Sequence, residues 1–231
     1  MARRYDSDRS PGTPVISMSK VFGFARARAQ NVPAWPDTFE ARVQALALIQ
    51  TLNAEVLGSR SATATLERWC RDHMLAENPT IVAALMRNVN RPATAEQRRH
   101  LQVTERDAVT YRHVQLRCGD RVLSEADNWY VPGRLTPEMN RLLETTDTPF
   151  GRAVQSLEPY RQTYSAMLLW LPLPDGWERQ STTLPAATGR ALVIPDTLFE
   201  HRAILYTREH VPFSEVDEIY QRQVLAFPPR R

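Results

Sequence analysis

The chain has 231 residues, 42% of them hydrophobic and 24% charged, which suits one large soluble domain or two small ones. With 29 basic residues against 26 acidic ones the net charge is only +3, too mild and too scattered for a nucleic-acid-binding stripe. No apolar run reaches the ~18 residues of a membrane span, and two cysteines, Cys70 and Cys118, make neither a disulfide framework nor a metal set.

Residues 1 to 36 read as a poorly ordered leader, rich in charge and punctuated by Pro11, Pro14, Pro33 and Pro36. Its apolar patch, Val15 to Phe24, is broken by Ser17, Ser19 and Lys20. An export signal wants an unbroken apolar core, so a cytoplasmic protein is expected. Asp37 and Glu40 have the spacing of a capping box, and Ala45, Leu48, Ile49, Leu52 and Val56 then recur at helical spacing until Gly58. A second helical segment covers 61–73, with Leu66, Trp69 and Cys70 inward. Residues 80–89 mix strand and helix signals and read as a strand; 94–101 read as a short exposed helix.

From Thr110 the pattern is β. Val114, Leu116 and Cys118 alternate with His113, Gln115 and Arg117, and Gly119-Asp120 turns the chain into a second strand ending at Pro132. Thr136-Pro137 and Thr148-Pro149 are two helix starts. Residues 160–170 form the next strand, 172–189 a long Pro- and Gly-rich loop, and 201–224 a closing hairpin. The sum is an α+β fold, with a single antiparallel sheet of about six strands and helices packed against it. Residues 37–231 form one domain.

The chemistry starts from strand parity. Residues two apart share a face, so Arg112 faces inward with Val114, Leu116 and Cys118. A buried guanidinium needs an anion, either an acidic side chain or a bound carboxylate that fits its planar fork. On the last strand Glu218 shares its phase with Val216 and Tyr220, while Glu215 falls on the other phase and is the fallback carboxylate. Arg112 and Glu218 either pair with each other in the core or share a pocket. The five histidines show no metal-ligand spacing, both cysteines read as inert, and no phosphate-loop, dinucleotide or nucleophile-elbow motif is present.

Taken in order, several short motifs resemble one family. These are Arg112 on its strand, the Gly119-Asp120 turn, Val131-Pro132, Leu142-Leu143, Thr148-Pro149-Phe150-Gly151-Arg152, Ser61-Ala62-Thr63 and Asp217-Glu218-Ile219-Tyr220. Together they resemble chorismate lyase, over most of the chain after the leader. The resemblance implies a carbon–oxygen lyase that eliminates pyruvate from chorismate, leaving 4-hydroxybenzoate, a ubiquinone precursor. It implies no metal or other cofactor, and a monomer whose partner is a small aromatic carboxylic acid. Arg112 would grip the ring carboxylate and Glu218 would contact the ring hydroxyl. Ala62 and Phe150, where the family has Met and Leu, would form backbone contacts or apolar walls. A non-catalytic sensor domain of the same fold is the alternative.

Overall fold

The structure, a computed structural model, describes residues 34–183 and 185–230. Nearly all of the expected leader and its export-signal segment lie outside the described residues. Trp35 and Pro36 lie within them. Trp35 is buried, and its indole N–H donates to the carbonyls of Leu225 at 3.3 Å and Phe227 at 3.1 Å.

Helix α1 spans Phe39–Leu57 and buries Ala41, Ala45, Ile49, Leu52 and Val56. Its cap is Thr38, whose hydroxyl accepts from the Ala41 amide at 3.2 Å. The expected Asp37–Glu40 capping box is therefore not formed, and the cap stands one residue later. Asp37 instead pairs with Arg42 at 2.6 Å and accepts from Thr188 at 2.8 Å. Those bonds, with Arg42 donating to the Pro172 carbonyl at 2.6 Å, pin both ends of the 172–189 loop to the start of α1.

Helix α2 spans Ala62–Asp72, capped by Ser61, and buries Leu66, Trp69 and Cys70 as its spacing predicts. Strand β1 (Ile81–Leu85) and helix α3 (Ala95–His100) follow, the latter with a complete Thr94/Gln97 capping box. Strands β2 (Thr110–Cys118) and β3 (Arg121–Tyr130) form a hairpin. Its turn needs Gly119, whose φ of +54° a side chain would resist. Helix α4 (Pro137–Thr145) and the single-turn helix α5 (Phe150–Ala153) lead to strand β4 (Tyr160–Leu168). Strands β5 (Thr197–Tyr206) and β6 (Pro212–Gln221) close the chain.

The six strands form one antiparallel sheet in the order β1-β2-β3-β6-β5-β4. The α+β class read from the sequence is the class observed. Helices α1 and α2 lie on the inner face with the main core, which includes Ile49, Leu66, Leu116, Phe199 and Tyr220. A smaller apolar cluster of Leu101, Trp129 and Val131 lies apart from that core, next to α3. The two cysteines depart from expectation. Cys70 of α2 and Cys118 of β2 are joined in a disulfide across 48 residues of sequence. Each sits on the buried face of its element, and the packing of α2 on β2 brings the two faces together.

Candidate functional site

Arg112 stands on the inner face of β2, only 4% exposed. Its Nε donates to the Leu143 carbonyl at 3.1 Å and its Nη2 to the Thr148 carbonyl at 3.0 Å. These bonds fix the guanidinium plane. Nη1 has no hydrogen-bond partner, and no carboxylate among the described residues forms an ion pair with Arg112. Burial lowers its pKa to about 10, so it stays charged at neutral pH.

Glu218 is also inward and buried, in keeping with its strand phase. Its partner is not Arg112. Arg161, on the far edge strand β4, reaches it at 2.8 Å, and the Tyr220 hydroxyl donates to the same oxygen at 3.1 Å. The Arg161 pair is an ion pair more than a hydrogen bond, since the Nη2 hydrogens are off the line of the carboxylate. Burial opposes the charge on Arg161, but Glu218 and then Tyr220 outweigh it and raise its pKa. Burial, and then the nearby Glu218, raise the Tyr220 phenol.

A cavity of about 50 Å³ lies among these groups. Its walls include Ala62, Arg112, Asn128, Phe150, Arg161 and Glu218. All four residues singled out in the sequence, Ala62, Arg112, Phe150 and Glu218, thus line one space. Phe150 is held by Tyr130 and Phe213, with ring centroids at 5.6 and 6.3 Å. Asn128 accepts from the Ser214 hydroxyl at 2.9 Å, which fixes its amide. Three arginines, Arg60, Arg112 and Arg161, line this space against one carboxylate, so the lining carries an excess positive charge.

Sequence reading missed Arg161. It lies in a segment whose neighbours Gln162, Thr163 and Ser165 give no apolar alternation, so no parity argument could turn it inward. Glu215, the fallback carboxylate, does not line this cavity. It accepts from the Tyr164 hydroxyl at 2.8 Å and meets His100 Nδ1 at 2.9 Å. His201, level with Glu218 in the β5–β6 register, is fully buried and bonds Asn53 through Nε2 at 2.6 Å. Burial, and then the charge of Arg161, lower its pKa to about 4, so it is neutral at pH 7.

The inner cavity adjoins an outer hollow of about 540 Å³; Arg60, Ser61, Thr63, Gly151 and Leu205 line both. Here α5 approaches the start of α2 closely. A Cβ on Gly151 would stand 3.2 Å from the Ser61 hydroxyl. Among the described residues no group of His, Cys, Asp and Glu side chains could hold a metal ion, and no helix is long and apolar enough to cross a membrane.

Comparison with known proteins adds one relative of high similarity. The uncharacterized protein y4mC of Sinorhizobium fredii is 51% identical over 195 residues, 84% of this chain and 82% of that protein. The chain belongs to the y4mC family. No family model matches it. Among solved structures, the effector domain of PhnF from Mycobacterium smegmatis is 16% identical, covering 71% of this chain and 90% of that one, with a TM-score of 0.43. The ligand-binding domain of a Bordetella bronchiseptica protein described as a GntR-family transcriptional regulator is 18% identical, covering 61% and 82%, with a TM-score of 0.37. These likenesses are distant and speak to fold alone. The y4mC relative corrects the family expected from the motifs: the chain belongs with it, and none of these proteins is named as a chorismate lyase. The motifs are short, and each alone is weakly specific.

Proposed function

We propose that the protein binds a small organic acid, whose carboxylate sits against Arg112 in the inner cavity. One observation carries this reading: a guanidinium 4% exposed, with no anionic partner among the described residues, lining a cavity. An uncompensated buried charge costs several kcal/mol. Glu218, the carboxylate in the lining of the same cavity, is already engaged by Arg161 and Tyr220. A carboxylate ligand supplies the missing charge and two acceptor oxygens for the guanidinium fork.

In this reading Ala62 and Phe150 form the apolar wall, and Glu218, paired with Arg161, accepts from a hydroxyl on the ligand. The role is that of a binding domain. The regulator domain from Bordetella bronchiseptica is described as ligand-binding, but at that distance the likeness lends the proposal no weight, and the cavity carries it.

The test is isothermal titration calorimetry of the full chain with a panel of carboxylic acids that includes benzoate and 4-hydroxybenzoate. At least one acid binds the native protein. Arg112→Ala weakens it by about 30-fold or more, the loss expected when one member of a buried charge pair is truncated. Arg112→Lys recovers only part, because an ammonium lacks the fork. Unchanged affinity in Arg112→Ala would overturn the proposal. Steady release of pyruvate from chorismate by the same preparation would overturn a role limited to binding.

A further inference from the structure

The inner cavity is small. At about 50 Å³ it holds roughly three or four water-sized groups. Pockets that enclose a whole ligand measure about 300–1,000 Å³. The carboxylate head fits inside, and the remainder of any larger ligand must lie elsewhere. The outer hollow, whose 540 Å³ falls within that range, shares part of its wall with the inner cavity.

The outer hollow has its own charge pattern. Four arginines line it, Arg60, Arg68, Arg71 and Arg152, against two glutamates, Glu67 and Glu158. Three of the arginines have partners: Arg68 with Glu55 at 3.2 Å, Arg71 with Asp72 at 3.3 Å, and Arg152 with Glu67 at 2.6 Å. Arg60 is exposed and has no ion-pair or hydrogen-bond partner among the described residues. It also lies in the wall common to both spaces. Helix α2 starts at that wall, so its positive end adds to the same field.

Resting on the carboxylate reading above, we propose that the ligand is a dianion: an organic acid with its first carboxylate on Arg112 inside and a second anionic group opposite Arg60 outside. Two guanidinium groups without an anionic partner, one buried in the inner cavity and one in the wall that the two spaces share, define that class. The inner group is buried and fixed by two carbonyls, so it sets affinity. The outer group is exposed to solvent, so it sets selectivity for the doubly charged acid.

The experiment compares straight-chain dicarboxylates, succinate to pimelate, with the monocarboxylates of equal length, butyrate to heptanoate, by calorimetry on the full chain. At one chain length the dicarboxylate binds about fivefold tighter than its monocarboxylate, the advantage expected of a solvated ion pair. The advantage shrinks as salt is raised from 50 to 500 mM, concentrations chosen to bracket physiological ionic strength. Arg60→Ala brings the two series to equal affinity at each chain length, and Arg60→Glu turns the advantage into a penalty. Thermal melting of both variants checks that an exposed substitution leaves the fold intact. A dicarboxylate advantage that survives Arg60→Ala, or no advantage at any length, would overturn the inference. Monocarboxylates that still depend on Arg112 would in that case leave the carboxylate reading standing; acids indifferent to Arg112→Ala, or no binding by either series, would end both.

Discussion

The two faces of the sheet solve the same electrostatic problem in opposite ways. On the outer face Asp127 takes Tyr111, His113 and Arg91 as partners, and Glu215 takes Tyr164 and His100. One acid is left short: Asp217 shares Arg202 with Glu200, and its Oδ1 is buried without a hydrogen bond. Burial, and then the charge of Glu200, raise its pKa to about 6. On the inner face the group left short is Arg112, lowered by burial only to about 10. A carboxyl group without enough partners can take up a proton near neutral pH, whereas a guanidinium cannot give one up. The outer face can settle its imbalance with solvent protons, whereas in the proposed reading the inner face takes an anion from outside the chain.

The sharpest test separates the two inner arginines by stability. Arg161→Met leaves Glu218 buried without its cation, and chemical denaturation is expected to show a loss of about 3–5 kcal/mol. Arg112→Met removes a charge that has no counter-ion. Its cost is limited to two carbonyl hydrogen bonds and is offset by relief of desolvation, so the change stays within about 1–2 kcal/mol. Equal losses would mean that Arg112 is as well compensated as Arg161, and the contrast between the faces would fail.

Acid denaturation sharpens the comparison next. The folded pKa of His201 is about 4 against 6.5 for a free imidazole. Between these values the unfolded chain binds the extra proton, so stability is full above about pH 6.5 and is lost as pH falls toward 4. The expected loss is about 2–3 kcal/mol, and His201→Gln flattens that part of the profile. Asp217 contributes with the opposite sign. Its folded pKa is raised from 3.8 to about 6, so the folded chain binds the extra proton, and this contribution is present below about pH 3.8 and lost as pH rises through 6. Solvent screens this partly exposed group, so the effect is about 1 kcal/mol. It is read as the difference between the native protein and Asp217→Asn across the same window. A difference that does not change with pH would remove the outer half of the comparison.

Much of the inner face was legible in the sequence because strand parity is a strict rule. Arg112 and Glu218 were turned inward by their apolar neighbours at i±2, and the structure has both buried. Their relationship was not legible. Parity gives a face but not a reach, and the pairing of Glu218 with Arg161 depends on which strands end up adjacent. Strand β4 follows α5 in the chain yet sits at the far edge beside β5, a placement that no local pattern encodes. The same limit explains the cysteines. The buried face of each element was predictable, but the packing of α2 against β2 was not. The cap of α1 moved from Asp37 to Thr38 because Asp37 was claimed by two distant partners, Arg42 and Thr188.

The link between Cys70 and Cys118 gives the molecule a covalent dependence on its surroundings. The closed loop holds β1, α3 and nearly all of β2, Arg112 included. In the chain-entropy description a loop of 48 residues restricts the unfolded chain by about 4 kcal/mol. That is a large share of the ~5–15 kcal/mol stability typical of a folded domain. Such bonds persist in oxidising compartments and open where thiols are kept reduced. The margin by which α2 and the strand carrying Arg112 stay docked is thus set partly by redox poise, a variable that neither pH nor salt can stand in for.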